Sequence, residues 1–303
     1  MQLNRITGCA YYIDAGINIG VIVNRRREAL LVDAGIDDSV TRKVKRLLEA
    51  EGFKPVGILV THAHADHYGG AAHLVKAGGV RVYAPAAEKP VLEYPLGEPV
   101  YLFSGAYPPA ALRGKFFQGP RVEVDQVIAP GTLTVPGFEE LGIEVVDLAG
   151  HSLGQVGAAV DGVLFCADAV IAPGFIEKHG IPLNAHLGRT IETYDRLRQR
   201  KEHRFLPAHG TLVEDVVPLV EANRSRVEQA RGFILDLLET PRTVEEVVTA
   251  ASGHFGLEIN NLGQYCLTQL TVMAYLSHLL DSGEIVSAYR HNRQLLLRNL
   301  YPA

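Results

Sequence analysis

Short apolar runs, separated by turns that contain glycine and proline, alternate with amphipathic stretches as far as residue 207. The runs are rich in β-branched residues and predict strands, whereas the amphipathic stretches predict helices. The run at 56–61 is continuously apolar, which is the pattern of a strand buried on both faces. The predicted strands cover residues 11–14, 20–23, 29–32, 56–61, 81–84, 121–128, 132–135, 143–148, 156–160, 163–167 and 204–207, and the predicted helices cover a segment that is capped near Asp37 and ends at Gly52, residues 67–77 and residues 190–201.

Residues 86–120 interrupt this pattern with a segment rich in proline and in aromatic residues, among them Tyr107, Phe116 and Phe117. An insertion of this length inside a compact domain is typical of a loop that covers a site. We therefore expect a lid, and its nearly uncharged centre suits an apolar group below it.

The chain beyond residue 214 becomes helical. Thr243 and Glu246 have the spacing of a capping box at the start of a helix predicted over 243–251. A helix over 262–280 follows, and then two short strands at 285–289 and 294–298 with a turn between them. This order of elements is that of a winged-helix unit. The sequence therefore predicts a main domain over 1–238 and a small winged-helix-like domain over 239–303.

Composition places the chain among globular proteins of moderate charge. Of its 303 residues 47% are hydrophobic and 21% are charged, and the formal net charge is −5, which argues against a disordered chain and against a strongly basic surface. Cys9, Cys166 and Cys266 are too few and too far apart for a disulfide framework, and Cys166 is expected in the core. Neither a signal peptide nor a long apolar span is evident, so we expect a cytoplasmic protein without a membrane segment.

A dense group of metal-binding residue types follows the apolar run at 56–61. It contains His62, His64, Asp66 and His67. Alternate residues of an extended loop point the same way, so His62 and His64 can converge on one ion. Asp66 and His67 begin the next helix and can present a second pair of ligands. Imidazole and carboxylate groups suit Zn²⁺, with Mn²⁺ and Fe²⁺ as competitors.

Three more residues of these types each follow a predicted strand. His151 comes after the strand 143–148, Asp168 after 163–167 and His209 after 204–207. Open α/β sheets place their binding sites at such strand ends. The four groups of residues therefore predict one shared metal site.

With these seven residues the chain resembles the metallo-β-lactamase superfamily, whose pattern is H-x-H-x-D-H, a later G-H, an Asp after a strand and a final G/A-H-G. The resemblance spans about residues 10–212 and implies an α/β fold, a four-layer αββα sandwich, with two metal ions, expected to be zinc. Asp33 resembles the early Asp of the family, which supports a ligand from outside the coordination shell. By the same analogy the first ion is held by His62, His64 and His151, the second by Asp66, His67 and His209, and Asp168 bridges the two ions.

The resemblance also implies a chemistry. Two bridged cations make a hydroxide available at neutral pH, which attacks a carbonyl or phosphorus centre. Asp66 orients this hydroxide and can pass a proton to the leaving group. The glyoxalase II-like branch of the family and the apolar insertion favour a small acyl substrate with an ester, thioester or lactone bond. Further residues expected near the substrate are Tyr107, His179, His186 and Tyr194.

The amino-acid sequence leaves several different functions open. The C-terminal segment resembles that of β-lactamase-like endoribonucleases, so a nuclease or phosphodiesterase assisted by a winged helix is one of them. Residues 240–303 include four basic and five acidic residues. This segment therefore has no excess of positive charge to bind phosphates, which disfavours nucleic acid as a partner. Two more functions remain open, that of a mononuclear iron persulfide dioxygenase and that of a metal-binding protein without catalysis. We expect the C-terminal segment to cover the mouth of the site or to form a subunit contact in a homo-oligomer.

Overall fold

Two β-sheets stack face to face in the computed structural model, which describes residues 1–300. The first sheet contains seven strands in the order of the sequence: β1 (Leu3–Arg5), β2 (Ala10–Asp14), β3 (Asn18–Val23), β4 (Glu28–Val32), β5 (Lys54–Leu59), β6 (Arg81–Pro85) and β7 (Gln126–Ile128). The second sheet contains five strands, and each of them pairs with the next one in the sequence: β8 (Gly131–Thr132), β9 (Glu144–Asp147), β10 (Val156–Val160), β11 (Val163–Ala167) and β12 (Arg204–Pro207).

Helices cover the outer faces of both sheets, and others lie in the connections between strands. The helices of the described chain are α1 (Asp38–Ala50), α2 (Ala65–Tyr68), α3 (Ala71–Lys76), α4 (Lys89–Glu93), α5 (Gly97–Leu102), α6 (Pro173–His179), α7 (Leu187–Gln199), α8 (Val217–Leu237), α9 (Val244–His254) and α10 (Leu262–Asp281), with short 3₁₀ helices at Ala110–Leu112 and Glu139–Leu141. A two-stranded sheet of β13 (Ile285–Arg290) and β14 (Arg293–Arg298) completes the described chain.

Three apolar cores separate the four layers. The middle core joins the two sheets, for example through Leu30 of β4 and Phe165 of β11. One outer core packs Val44 and Leu48 of α1 against the first sheet, and the other packs α7 to α10 against the second sheet. Both faces of each sheet are therefore covered, which explains the continuous apolar run at the end of β5. The fold is the four-layer αββα sandwich predicted from the sequence.

The single helix predicted over 67–77 is wrong, because the chain forms α2 and α3 with Gly69 and Gly70 between them. At this break the backbone N–H of Gly70 donates to the carbonyl of Gly35 at 2.8 Å, and the carbonyl of His67 accepts from the N–H of Ala34 at 2.7 Å. Hydrogen bonds to the loop after β4 thus replace the helical ladder. Residues 67–70 are therefore held by hydrogen bonds to the loop after β4.

Two other predictions about regular structure need correction. Residues 121–125 are not part of a strand, because Val122 donates its N–H to the carbonyl of Leu92 and Val124 donates to the carboxylate of Glu93. These bonds attach residues 122–124 to α4, and the chain reaches β6 only at Asp125, whose N–H donates to the carbonyl of Val82 at 3.0 Å. The insertion 86–120 is also more regular than a loop, since it contains α4, α5 and a 3₁₀ helix.

Local signals in the sequence were confirmed. Asp161 and Gly162 form the hairpin turn between β10 and β11 with φ values of 50° and 72°. Thr243 and Glu246 form the predicted capping box, in which the Thr243 hydroxyl accepts from the Glu246 N–H at 3.3 Å and the Glu246 carboxylate accepts from the Thr243 N–H at 2.8 Å. Such signals depend only on neighbours along the chain.

The C-terminal segment has the predicted order of two helices and a two-stranded sheet. Its residue Val248 belongs to the same core cluster as Val220 of α8, so the segments before and after residue 238 pack together. The winged-helix assignment and the division into domains 1–238 and 239–303 stay predictions, and residues 301–303 lie outside the described residues. Over residues 1–300, no helix combines the length and the apolar character needed to cross a membrane.

Candidate metal centre

Asp33, directly after β4, anchors the loop 62–67 that follows the neighbouring parallel strand β5. Its carboxylate accepts hydrogen bonds from the backbone N–H and the hydroxyl of Thr61, both at 2.8 Å. Its Oδ2 also lies 2.7 Å from Nδ1 of His67. Because Nδ1 of His67 is engaged in this way, the ring presents Nε2 to the interior of the site. Asp33 therefore contacts the cluster through the ring of His67.

Imidazole nitrogens from two loops meet beside this anchor. Nδ1 of His64 lies 3.0 Å from Nε2 of His62 and 3.0 Å from Nε2 of His151. Nδ1 of His151 is 2.9 Å from the carbonyl oxygen of Leu183, which leaves Nε2 for the site. Ligand atoms of the three histidines lie within 4.8 Å of one another. This spacing suits one cation with three nitrogen ligands.

Asp168 occupies the centre of the cluster. Its Oδ2 is 3.5 Å from Nε2 of each of His67, His151 and His209. Nε2 of His209 also lies 3.4 Å from Oδ2 of Asp66. The structure therefore brings together all seven residues that the motif and the strand ends indicated. Two further groups whose ligand atoms lie within 4.8 Å of one another are His62, His67 and Asp168, and Asp66, His67 and His209.

Buried polar atoms of this cluster fit bound cations. Nε2 of His67, Oδ1 of Asp168 and Nδ1 of His209 find no hydrogen-bond partner within the described part of the chain. Each such atom costs about 1–3 kcal/mol when it is left unpaired. Imidazole nitrogen and carboxylate oxygen form the donor set of zinc and of related divalent cations. The residues present therefore suit a pair of such ions.

The protonation states of the first imidazole group also suit a metal. Burial lowers the pKa of His62 well below its usual range, lowers the pKa of His64, and lowers the pKa of His151 to about 4. These rings are consequently neutral at pH 7, which is the form that binds metal ions.

The carboxylates of the cluster are ionised. Burial by itself raises the pKa of Asp66, but the nearby His67 and the hydrogen bond from His209 bring this pKa down to about 2. The same balance between burial and the two imidazoles holds the pKa of Asp168 well below its usual range. Both side chains can therefore act as anionic ligands at neutral pH.

Glu88, which the sequence analysis did not identify, joins the two loops that carry the first imidazole group. Its buried carboxylate accepts from the N–H of Ala63 at 2.9 Å, from the hydroxyl of Ser152 at 2.8 Å and from the N–H of Gly154 at 2.7 Å. Ala63 lies between His62 and His64, and Ser152 follows His151. The three bonds thus set the distance between these loops. No spacing in the sequence indicates them, since the donors are 25 to 66 positions away.

A cavity of about 900 Å³ opens onto this cluster. The insertion 86–120 and the C-terminal segment both contribute to its walls, which agrees with the expectation that they cover the site. The residues of the cluster that border the cavity are His64, Asp66, His151, Asp168 and His209. Apolar wall residues include Ile17, Phe116, Phe117, Phe175, Leu257, Ile259 and Leu267.

Two of the four residues expected near the substrate lie on this cavity. Tyr194 and His179 line it, and Tyr194 is buried. Tyr107 is 69% exposed and its hydroxyl contacts Arg113, whereas His186 caps α7 by accepting from the N–H of Arg189. The structure does not place Tyr107 or His186 among the lining residues, because local contacts hold both side chains elsewhere.

Phe175 and Cys166 complete the surroundings of the site. Phe175, which the sequence analysis did not identify, lines the cavity with its ring centroid 5.1 Å from that of His209. Nothing about its position in the sequence distinguishes it from a core aromatic residue. Cys166 is fully buried, as expected of a core residue, and burial raises the pKa of its thiol. The thiol is therefore protonated and unreactive.

Comparison with known proteins gives a consistent result. A family model described as the metallo-beta-lactamase superfamily matches residues 13–209. A hydroxyacylglutathione hydrolase of Methylobacillus flagellatus is 31% identical over 153 residues, which are 50% of this chain and 47% of that protein. A hydroxyacylglutathione hydrolase of Alkalilimnicola ehrlichii is 28% identical over 238 residues, or 76% of this chain and 77% of that protein. The chain thus spans about half the length of the first of these curated relatives.

Solved structures share the fold over nearly the whole chain. A beta-lactamase domain protein from Burkholderia ambifaria aligns with a TM-score of 0.75 and 19% identity, covering 98% of this chain and 94% of its own. A metallo-beta-lactamase family protein from Thermus thermophilus aligns with a TM-score of 0.72 and 19% identity, covering 93% and 94%. At this level of identity the likeness establishes the architecture, including the C-terminal segment.

Proposed function

This chain belongs to the metallo-beta-lactamase superfamily, and on that premise we propose that it is a metal-dependent hydrolase that cleaves a thioester, ester or lactone bond of a small acyl substrate. The observation that carries the proposal is the cavity of about 900 Å³, whose largely apolar walls open onto Asp66, His151, Asp168 and His209. A site that joins an apolar chamber to a polar reaction centre suits an acyl chain with a reactive carbonyl at one end.

The seven clustered residues are proposed to hold two divalent cations. Zinc is the metal we expect, and iron and manganese are its competitors. When such ions are bound, they lower the pKa of a water molecule and polarise a carbonyl oxygen. In this proposal His62, His64 and His151 hold one ion, Asp66, His67 and His209 hold the other, and Asp168 contacts both.

Asp66 is proposed to handle the protons of the reaction. Its carboxylate is ionised at neutral pH and borders the cavity, so it can accept a hydrogen bond from the attacking water. Addition of water to the carbonyl carbon, followed by cleavage of the C–S or C–O bond, yields a carboxylic acid and a thiol or an alcohol. The leaving sulfur or oxygen needs a proton, which Asp66 can pass on from the water.

A thioester is favoured within this class of substrates. The two relatives named above are hydroxyacylglutathione hydrolases, and a hydroxyacyl group joined to glutathione through sulfur is a thioester. The wall formed by Phe116, Phe117, Leu257 and Ile259 supports an apolar acyl chain beside the reaction centre. In this arrangement the C-terminal segment is proposed to act as part of the substrate chamber.

A panel of substrates tests the proposal. We expect the zinc-loaded protein to hydrolyse acyl thioesters or lactones, and Asp66→Ala to lower kcat/KM about a thousandfold through loss of proton transfer. Asp281→Ala, at the exposed end of α10, is the matched control and should keep the wild-type rate. Equal rates for wild type and Asp66→Ala would remove this site from catalysis. Faster turnover of bis(p-nitrophenyl) phosphate than of every acyl substrate would instead support a phosphodiesterase.

The metal content of the purified protein distinguishes a second class of enzyme. We expect about two zinc ions per chain, because the seven residues proposed as ligands divide into two sets that share Asp168. Elemental analysis of protein expressed with both zinc and iron available provides the measurement. One iron and no zinc per chain would favour a persulfide dioxygenase and contradict the proposed hydrolase.

Glu88→Gln is expected to weaken binding of the first cation about 10- to 100-fold, as is typical for groups that orient metal ligands. The amide of Gln must direct its NH₂ group either at the N–H of Ala63 or at the donors of Ser152 and Gly154, so one loop is released. Competition with a chromophoric chelator measures the affinity. Glu123→Gln, at an exposed residue that pairs with Arg121 on the surface, is the control. Unchanged affinity in Glu88→Gln would show that the loops hold their positions without it.

A further inference from the structure

The cavity wall contains a carboxyl group that the reaction described above does not use. Glu98 lines the cavity and is only 3% exposed. Its Oε2 has no hydrogen-bond partner in residues 1–300. The charged groups that act on it include the carboxylates of Asp66 and Glu88, which repel a second negative charge. A buried carboxyl group without a hydrogen bond is destabilising, and a ligand in the cavity can supply the missing partner.

The fold holds Glu98 firmly in place. Glu98 lies in the first turn of α5, and Leu102 lies one turn further along the same face. Leu102 packs into an apolar cluster with Leu112 and with Cys266 of α10. The insertion and the C-terminal helix thereby fix α5 at the cavity. Glu98 is consequently a built-in feature of the wall and not a side chain that can turn out to solvent.

The protonation state of Glu98 defines which ligand group can pair with it. Burial raises the pKa of Glu98 well above its usual range, Asp66 and Glu88 add to this shift, and His67 opposes it without reversing it. The neutral carboxyl group donates one hydrogen bond through its O–H and accepts others through its carbonyl oxygen. A secondary amide offers the complementary pair, a carbonyl acceptor and an N–H donor. Neither an alkyl chain nor a carboxylate offers both.

We propose that Glu98 binds a secondary amide of the substrate. This inference rests on the proposed hydrolase function and narrows its substrate class to thioesters whose thiol part bears an amide. A simple alkyl thioester would leave the carboxyl group of Glu98 unpaired, and an unpaired buried group is the means by which sites reject analogues that lack a polar function. The apolar walls then bind the acyl chain of the substrate, and Glu98 binds the amide of its thiol part.

The test compares two butyryl thioesters of similar length, one of N-acetylcysteamine, which carries a secondary amide, and one of pentanethiol, which has none. We expect Glu98→Met to raise KM for the N-acetylcysteamine thioester about tenfold and to lower KM for the pentanethiol thioester, because Met removes the carboxyl group that this substrate leaves unpaired. Glu98→Gln should keep the preference, because its side chain also donates and accepts. A purely structural role would instead change kcat and thermal stability with both substrates alike, and that result would overturn the proposal.

Binding of inert analogues separates this inference from the hydrolase function itself. S-butyl-N-acetylcysteamine and butyl pentyl sulfide are thioethers that cannot be hydrolysed, and calorimetry on the metal-loaded protein measures their affinity. Binding of the amide-bearing thioether about tenfold tighter than the other, lost in Glu98→Met and kept in Glu98→Gln, supports the subsite even if neither thioester is cleaved. Equal affinity of the two thioethers for the wild type overturns it, whatever the rates of hydrolysis are.

Discussion

Replacement of Asp168 by alanine is expected to lower kcat/KM for thioester hydrolysis about a thousandfold and to reduce the bound metal below two ions per chain. Its Oδ2 lies 3.5 Å from Nε2 of His67, His151 and His209, so its removal deprives both groups of ligands of their shared anion. Metal ions contribute several kcal/mol to transition-state stabilisation, and about 4 kcal/mol corresponds to a thousandfold change in rate. Steady-state kinetics and elemental analysis of the same sample provide the two readouts.

Two variants sharpen this test. Asp168→Asn keeps the shape of the side chain but removes its charge, so we expect a loss of metal similar to that in Asp168→Ala. Asp195→Ala changes an acidic residue on α7 that pairs with Arg224 and does not line the cavity, and it should retain both ions. An Asp168→Ala protein with two ions and the wild-type rate would show that the ligand cluster is held together without this residue.

Gly69→Ala is expected to destabilise the protein by about 3 kcal/mol, at the upper end of the effects of overpacking. A Cβ atom at this position would lie 2.1 Å from the carbonyl oxygen of Ile36 and 2.5 Å from that of Ala65. Both obstacles are backbone atoms, which cannot turn away as a flexible side chain could. The loop after β4 must therefore separate from α2. Denaturant unfolding followed by circular dichroism measures the free energy of unfolding.

The effect of Gly69→Ala should extend to metal binding. Gly69 adjoins the segment whose hydrogen bonds to Ala34 and Gly35 hold His67 beside Asp33. Separation of the loops consequently moves a ligand. Gly232→Ala is the matched control, since Gly232 lies within α8 and an added Cβ meets nothing within 4 Å, so it should be neutral or stabilise by up to about 1 kcal/mol. Equal unfolding midpoints for wild type and Gly69→Ala would mean that the close packing is not required.

Local patterns account for the parts of the fold that the sequence predicted well. The hairpin at Asp161 and Gly162 and the capping box at Thr243 depend on residues no more than a few positions apart, and both are present. The loop 62–67 follows a strand because the apolar run before it forms the end of β5, which is covered on both faces. The helix break at Gly69 could not be predicted in this way. Its cause is hydrogen bonding to a loop that is more than thirty positions earlier in the chain.

The sequence by itself determined which side chains form the candidate metal centre, since His62, His64, Asp66, His67, His151, Asp168 and His209 stand in a recognisable order at the ends of strands. The tertiary structure alone decided what surrounds them. It placed Glu88 across two ligand loops and Glu98 in the cavity wall, and it left Tyr107 and His186 outside that wall. The physical reason is that a ligand type is a property of one residue, whereas a buried carboxyl group gains its role from donors and neighbours that only the folded path of the chain brings within hydrogen-bond distance.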